Sequence, residues 1–522
     1  MKIKVFTYLI VKVWKLIDET FKEIGIPIIK ANELLDKIKD DQRIWDLFKN
    51  GITCTLNQVD SDNGCRQAKQ YGISSFEDGA HIAAAIRPSF DSWREQFLDR
   101  KPYTTGSDQL DDVLKDTHGY ILFQESLMQY FDWLGVSPAE SIGLIKKISK
   151  KKIKQSDFDN LEERIKKQWI INTGSEEMFS ETWHLVQSCM SYGFCSAHAA
   201  ATSLDMCYGA YLKVNYPYEY YSVCFNNYVG DKERTNKLTN ELEYFGIKLS
   251  DIKFRHSNSK YSYDKESHTI FKGMSSIKFV GDNVGEELYA LRDNQYDSFI
   301  DLLQDISNTS VNSKQLDILI KLDFFSEFGD INYLLKQVEC YDKFYGRKQF
   351  TISKLQKEGE DIELIKKYCQ KQTEKTLKEF DYIGFLKDMT SSMAYSLVSI
   401  TERMDYQKEY IGYISYINPN VGKRYYYVKD LSVTKSIVNI QLYEIYSGKT
   451  QKVKMWTTQY KKNPFDEGDI LYLKSVEKKH KKEPTGEINQ KTGKKIYKDV
   501  PDKFEFWLKN FTIKNDVEEE LV

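Results

Sequence analysis

Three groups of residues in this chain have the types and spacing to grip phosphate. The first is the run Ser191-Tyr192-Gly193-Phe194-Cys195-Ser196-Ala197-His198-Ala199-Ala200-Ala201, followed by Tyr211-Leu212-Lys213 and Tyr216-Pro217. A glycine between two aromatics allows a tight backbone bend, and His198 then opens a helix of small residues. A donor at the start of a helix can hold a phosphate or a sugar; packing that fixes the helix start is the other reading of His198. The second group is Lys146, Lys147, Lys150, Lys151 and Lys152, five lysines within seven residues. Such a run attracts a triphosphate or a DNA backbone, and a solvated helix end favoured by the helix dipole has the same pattern. The third is Lys278 with the turn Phe279-Val280-Gly281-Asp282-Asn283-Val284-Gly285. A glycine turn offers backbone N–H groups to one phosphate without reading base sequence.

The elements that must position these residues change character along the chain. Residues 11–48 carry Val11, Trp14, Ile17, Phe21 and Ile24 at helical spacing, broken by Gly25 to Pro27. Thr53 to Val59 reads as a short strand, and a helical pattern then ends at Arg87-Pro88. Residues 117–230 are strongly helical. Residues 231–330 hold short mixed segments, and 331–408 read as a helical linker rich in lysine and glutamate. From about 410 the period becomes two. Ile411–Ile417, Arg424–Lys429, Ile437–Ile445, Lys452–Trp456, Ile470–Val476 and Phe504–Ile513 read as strands, enough for a small barrel of the oligonucleotide-binding type. Lys474 to Lys498 reads as a lysine-rich loop, suited to single-stranded template or simply solvated, and 516–522 as an acidic tail. The expected fold class is therefore multidomain: mainly α domains followed by a small all-β barrel.

Composition narrows the function classes. A chain of 522 residues predicts two to four domains. Net charge is only −2, so nucleic-acid binding must rest on local basic patches. The 8 cysteines include no CxxC pair and no zinc spacing with histidine. They read as reduced thiols, which predicts a cytoplasmic location. The apolar start Val5 to Val11 is too short to span a membrane, and no membrane partner is expected.

The first run closely resembles the fingers of bacterial replicative family C polymerases, the DNA polymerase III alpha subunits, where it reads roughly YGF-x-x-x-HA and then YLK-x-x-YP. Other blocks extend the resemblance along nearly the whole chain. Gln58, Asp60, Ser61 and Arg87-Pro88 keep the character of a segment from a VFQ-x-ES strand to an RPG turn. Thr117 to Gln129 looks like a YG-x-x-x-YQEQ-x-MQ helix start. Leu144 to Lys152 sits where the family has LRRAMGKKK, and Phe271 to Gly285 resembles its G-x-x-x-IKGVG helix-hairpin-helix.

The resemblance implies roles for individual residues. Lys146 and Lys147 stand where paired arginines face the triphosphate, keeping charge but losing the bidentate fork. Arg87 and His198 would line the nucleotide pocket, although Ser196 replaces the family's lysine beside the histidine. Lys150, Lys151, Lys152, Lys278, Gly281 and Gly285 would hold DNA. The family's metal-binding palm aspartates find no counterpart: two are expected upstream of Met1, and Thr7 takes the place of the third on a last palm strand expected over residues 1–10. The implied protein is the C-terminal part of such a polymerase: fingers over 11–230, helix-hairpin-helix over 231–330, linker, and barrel over 409–515. It is expected to bind primer–template DNA and dNTP and to be inactive alone. Magnesium enters only with an N-terminal fragment bearing the palm. A sliding clamp is a further candidate partner, although no Q-x-x-[LM]-F peptide is found. The alternatives are a non-catalytic DNA-binding remnant and a misread frame.

Overall fold

Helices in the first half of the chain begin and end where short-range chemistry directs. In the computed structural model, which describes residues 2–149, 154–192, 194–488 and 495–515, Ser61 and Ser75 cap the Asp62–Tyr71 and Phe76–Ala85 helices by accepting the N–H of Gly64 and Asp78. Gly72 closes the first of these in the left-handed conformation at φ 69°. The chain divides into two units, Met1–Leu249 with Tyr263–Ile270, and Ser250–Ser262 with Phe271–Val522.

The first unit is helical and is built around the Ser196–Asn215 helix, which buries Ala199, Met206, Cys207, Tyr208, Gly209, Ala210 and Leu212. Its small residues let the Ala-rich Phe76–Ala85 helix lie close against it. At Gly209 a Cβ would stand 2.5 Å from the end of the Leu56 side chain, which would have to shift. Three short strands, β1 (Lys248–Ser250), β2 (Ser262–Asp264) and β3 (Thr269–Phe271), form a small sheet in the order β1-β3-β2.

Two sequence expectations fail in this unit. Residues 2–10, expected to end a palm strand, are the opening turns of the Lys2–Ile24 helix. The stretch 53–59 is a series of turns, with Thr55 and Gln58 at φ 70° and 65°. Two left-handed residues three positions apart are incompatible with a strand.

The second unit holds two cores. One runs continuously from Ile252 and Phe254 through Leu302, Ile320 and Phe325 to Phe344, Phe385 and Val398. Residues 331–398 are therefore packed into the same core as the hairpin region, where a linker was expected. They include a sheet of β4 (Gln349–Thr351), β5 (Cys369–Gln372) and β6 (Thr376–Phe380) in the order β4-β6-β5. High Lys and Glu content marked the exposed sides of these elements and hid the buried phenylalanines.

The other core fills a closed five-stranded barrel of β7 (Tyr425–Val433), β8 (Ile437–Glu444), β9 (Thr450–Trp456), β10 (Ile470–Ile488) and β11 (Lys495–Ile513), in the order β10-β11-β9-β8-β7. Strand number and closure are those of the oligonucleotide-binding type. Closure comes from the parallel pairing of β11 with β9 at Phe506 and Val453. Residues 411–417 are not a strand; there the N–H groups of Ser415 and Tyr416 donate to the Gln407 side chain. Nor is 474–498 a loop. Most of it continues β10 and β11 as one long hairpin. Among the described residues no helix is long and apolar enough to cross a membrane.

Candidate nucleic-acid interface

Arg87 and His198 are far apart in sequence and meet at Phe194. The Arg87 guanidinium lies 4.5 Å from the Phe194 ring centroid, and the His198 ring lies 4.9 Å from it, tilted by 57°. Each residue is fixed by its own element. Arg87 follows the Phe76–Ala85 helix at a Pro88 helical start, and Arg94 holds that backbone by donating to the carbonyls of Ala85 and Arg87 at 3.0 and 2.6 Å. Phe194 is buried and accepts the Gln124 N–H at its carbonyl, at 2.9 Å. The buried Nε of Arg87 has no protein hydrogen-bond partner. Burial and then the Arg87 charge hold the His198 imidazole below the usual histidine range. A neutral imidazole beside a guanidinium can donate to a phosphate without a protonation step.

The start of the Ser196–Asn215 helix is less open than its sequence suggests. The Glu125 carboxylate accepts the Ser196 N–H at 2.9 Å and faces the Cys195 thiol at 3.4 Å. A carboxylate already sits in the positive end of this helix dipole, so a phosphate ligand here is reached through the His198 ring. Glu125 stands in the Gln124-Glu125-Ser126 block, and its capping role has no short-range signal in the sequence.

Lys146 and Lys147 are exposed in the last turn of the Pro138–Ser149 helix, beyond the buried Ile145. Two point charges at a helix C-terminus suit both dipole and phosphate. Lys150, Lys151 and Lys152 lie outside the described residues. Lys213, the lysine of the Tyr-Leu-Lys block, is fully buried and paired with Glu241 at 2.5 Å. Glu241 also accepts the Tyr221 hydroxyl at 2.7 Å and the Cys54 N–H at 2.7 Å. That lysine is structural.

In the hairpin, Lys278 and Gly281 are exposed. The Lys278 N–H is already donated to the Tyr410 carbonyl at 2.9 Å, so its side chain is what remains for DNA. Gly281 stands at the start of the Asp282–Ala290 helix with nothing within 4 Å of a Cβ. Gly285 is buried, and a Cβ there would stand 2.7 Å from the Ser259 Cα. The glycine lets the Asp282–Ala290 helix pack directly against the Ser259 backbone.

The barrel pairs residues of the lysine-rich 474–498 stretch with aromatics that sequence reading did not single out. Registers of Lys478 with Phe506 and His480 with Phe504 put these side chains on one face of the hairpin. Lys478 Nζ lies 3.8 Å from the Phe504 ring centroid, and His480 lies 4.7 Å from the same ring. Trp456, exposed at the end of β9, lies 4.5 Å from the Trp507 ring, tilted by 36°. Aromatic faces beside cations suit nucleotide stacking. The available signal was register, which needs the strand pairing to be known. Among the described residues no cluster of three or more His, Cys, Asp or Glu side chains is placed to hold a metal ion, so no step through magnesium is derived from this chain.

Comparison with known proteins agrees with this order of parts. Residues 10–171 match the family described as bacterial DNA polymerase III alpha subunit finger domain, and residues 246–332 match a helix-hairpin-helix motif. DNA polymerase III subunit alpha of Bacillus subtilis is 26% identical over 298 residues, covering 55% of this chain and 26% of the relative. That of Aquifex aeolicus is 26% identical over 325 residues, covering 60% and 27%, and that of Rickettsia bellii 24% over 388 residues, covering 67% and 33%. The chain thus spans about a quarter to a third of the length of these relatives. It is related to part of the bacterial DNA polymerase III alpha subunit, over that protein's finger and helix-hairpin-helix portions.

Proposed function

We propose that this chain binds primer–template DNA and an incoming deoxynucleotide for template-directed DNA synthesis. In this reading the magnesium-binding carboxylates come from a palm on an N-terminal piece outside these 522 residues. The observation that carries the reading is the meeting of Arg87 and His198 at Phe194. Two residues implicated separately by motif form one cationic, half-buried corner with an unpartnered guanidinium nitrogen. Arg87 supplies charge and planar donors to the triphosphate, and neutral His198 supplies a ring donor. Lys146 and Lys147 add screened, longer-range attraction. The hairpin side chain of Lys278 meets duplex phosphate, and the Lys478–Phe504 face of the barrel meets single-stranded template.

The test is nucleotide-dependent binding to a primer–template at several salt concentrations. Charge reversal at Lys146 and Lys147 together should weaken it and flatten its salt dependence, and R87M should abolish the nucleotide dependence. Unchanged binding in both variants contradicts the assignment. A second reading, a DNA-binding protein without nucleotide chemistry, has one observation in its favour: Glu125 occupies the helix start beside His198. It predicts DNA binding indifferent to dNTP.

A further inference from the structure

The hairpin before the Asp282–Ala290 helix turns on a phenylalanine. Phe279 has φ 69°, in the left-handed region. A bulky side chain there is strained, whereas glycine is not. The ring is also 62% exposed, although Ile277 and Val280 on either side are buried. A residue that strains the backbone and packs against no core lowers stability twice over, so its side chain is explained by something outside the fold.

The surroundings fix the backbone of this turn and place a cation on the ring. Gln315 Nε2 donates to the Phe279 carbonyl at 3.1 Å. Its Oε1 accepts the Asn312 N–H at 3.0 Å in a capping box, so the Ser313–Lys321 helix fixes the turn. Lys314 Nζ stands 3.8 Å from the Phe279 ring centroid, and exposed Lys278 is its chain neighbour. The lysine covers one ring face, and the rest of the ring is left exposed. A flat base sandwich is disfavoured by that covered face. An exposed apolar ring with Lys314 on its face and exposed Lys278 next in the chain fits a groove whose floor is sugar and base edge and whose walls are phosphate.

We propose that Phe279 is a DNA-contacting side chain that enters the minor groove of duplex DNA, with Lys278 and Lys314 on the flanking phosphates. Apolar side chains placed in this way engage the minor groove through sugar and base edges. The inference rests on the reading that the hairpin faces duplex, and it adds a side-chain anchor to a turn otherwise credited only with charge and backbone.

The experiment compares the full chain with F279G in binding to a blunt duplex and to a single strand of the same sequence. Thermal melting is measured alongside, and netropsin, which fills the minor groove, is the competitor. Glycine relieves the strain, so F279G should melt at or above the wild-type temperature. Its duplex affinity should fall roughly five- to tenfold, as for an aromatic anchor, with single-strand affinity unchanged. Netropsin should erase the difference between the two proteins. Equal duplex affinity overturns the proposal and leaves the hairpin's phosphate contacts standing. An equal loss on single strand assigns the ring to an unpaired base and overturns it too. A lower melting temperature makes Phe279 a packing residue. If wild-type protein does not bind duplex, and K278E with K314E changes nothing, the underlying reading fails as well.

Discussion

Lys213 and Glu241 form a buried ion pair at 2.5 Å, with 0% and 7% of their side chains exposed. The pair is fully hydrogen-bonded: Lys213 also donates to the Ile52 carbonyl at 3.2 Å, and Glu241 receives Tyr221 and the Cys54 N–H. Removing one partner strands a charge in a buried site. K213M should therefore cost about 3–5 kcal/mol of folding stability, read by urea denaturation. Replacing both partners together with apolar residues should cost far less. A K213M protein of native stability would contradict this structural role.

His198 gives a pH signature. Its folded pKa is depressed, first by burial and then by Arg87, so the unfolded chain takes up the proton first as pH falls. The neutral ring's stabilising share is complete above the unfolded value of about 6.5 and is lost as pH drops below it. In an NMR titration of the His198 ring, R87M should raise the midpoint by removing the neighbouring cation. Bound triphosphate should raise it as well. A midpoint indifferent to both would separate the two residues.

Asp205 behaves in the opposite sense. Burial pushes its carboxyl up to about 6, against the hydrogen bond donated by Asn57 at 3.0 Å. The folded state then binds the proton more tightly than the unfolded state, whose value is about 3.9. The stabilisation from protonation is complete below that value and is lost as pH rises through about 6. D205N, neutral at every pH, should raise stability at pH 8 by on the order of 2 kcal/mol and leave it nearly unchanged at pH 3. Thermal melting across that range reads the difference, and a pH-independent effect of D205N would contradict it.

On the barrel, Phe504 and Lys478 act as a unit, with Nζ 3.8 Å from the ring centroid. F504A should weaken single-strand binding by roughly 1–3 kcal/mol without changing its salt dependence. K478Q should reduce the slope of log affinity against log salt by about 0.7. Fluorescence anisotropy with an oligothymidine separates the two, and unchanged affinity and salt slope in both variants would mean that neither residue contacts the strand.

The parts of this molecule legible in sequence were those set by local pattern. Period-two runs placed most of the barrel, and the small-residue run after Phe194 announced a closely packed helix. What pairing and packing decide was not legible. Gly285 and Gly281 look alike in sequence, yet only Gly285 faces backbone at 2.7 Å. G285A should thus lower the melting temperature by several degrees, and G281A should leave it within a degree or two. Phe279 in turn occupies a left-handed position where glycine is the easy choice, and its exposure could not be read from an apolar letter. That Lys213 is buried has no local signal, because its partner Glu241 is 28 residues away. The meeting of Arg87 with His198 depends on helix packing and was implied only by family resemblance.

The most direct test of the account is primer extension by this chain alone and with a palm-bearing fragment of a DNA polymerase III alpha subunit, with primer–template binding measured in parallel. The account predicts binding by the chain alone, extension only when both pieces are present, and loss of that extension in R87M. Tight DNA binding with no extension in any pairing, and no response to dNTP, would contradict it and leave a DNA-binding protein without nucleotide chemistry.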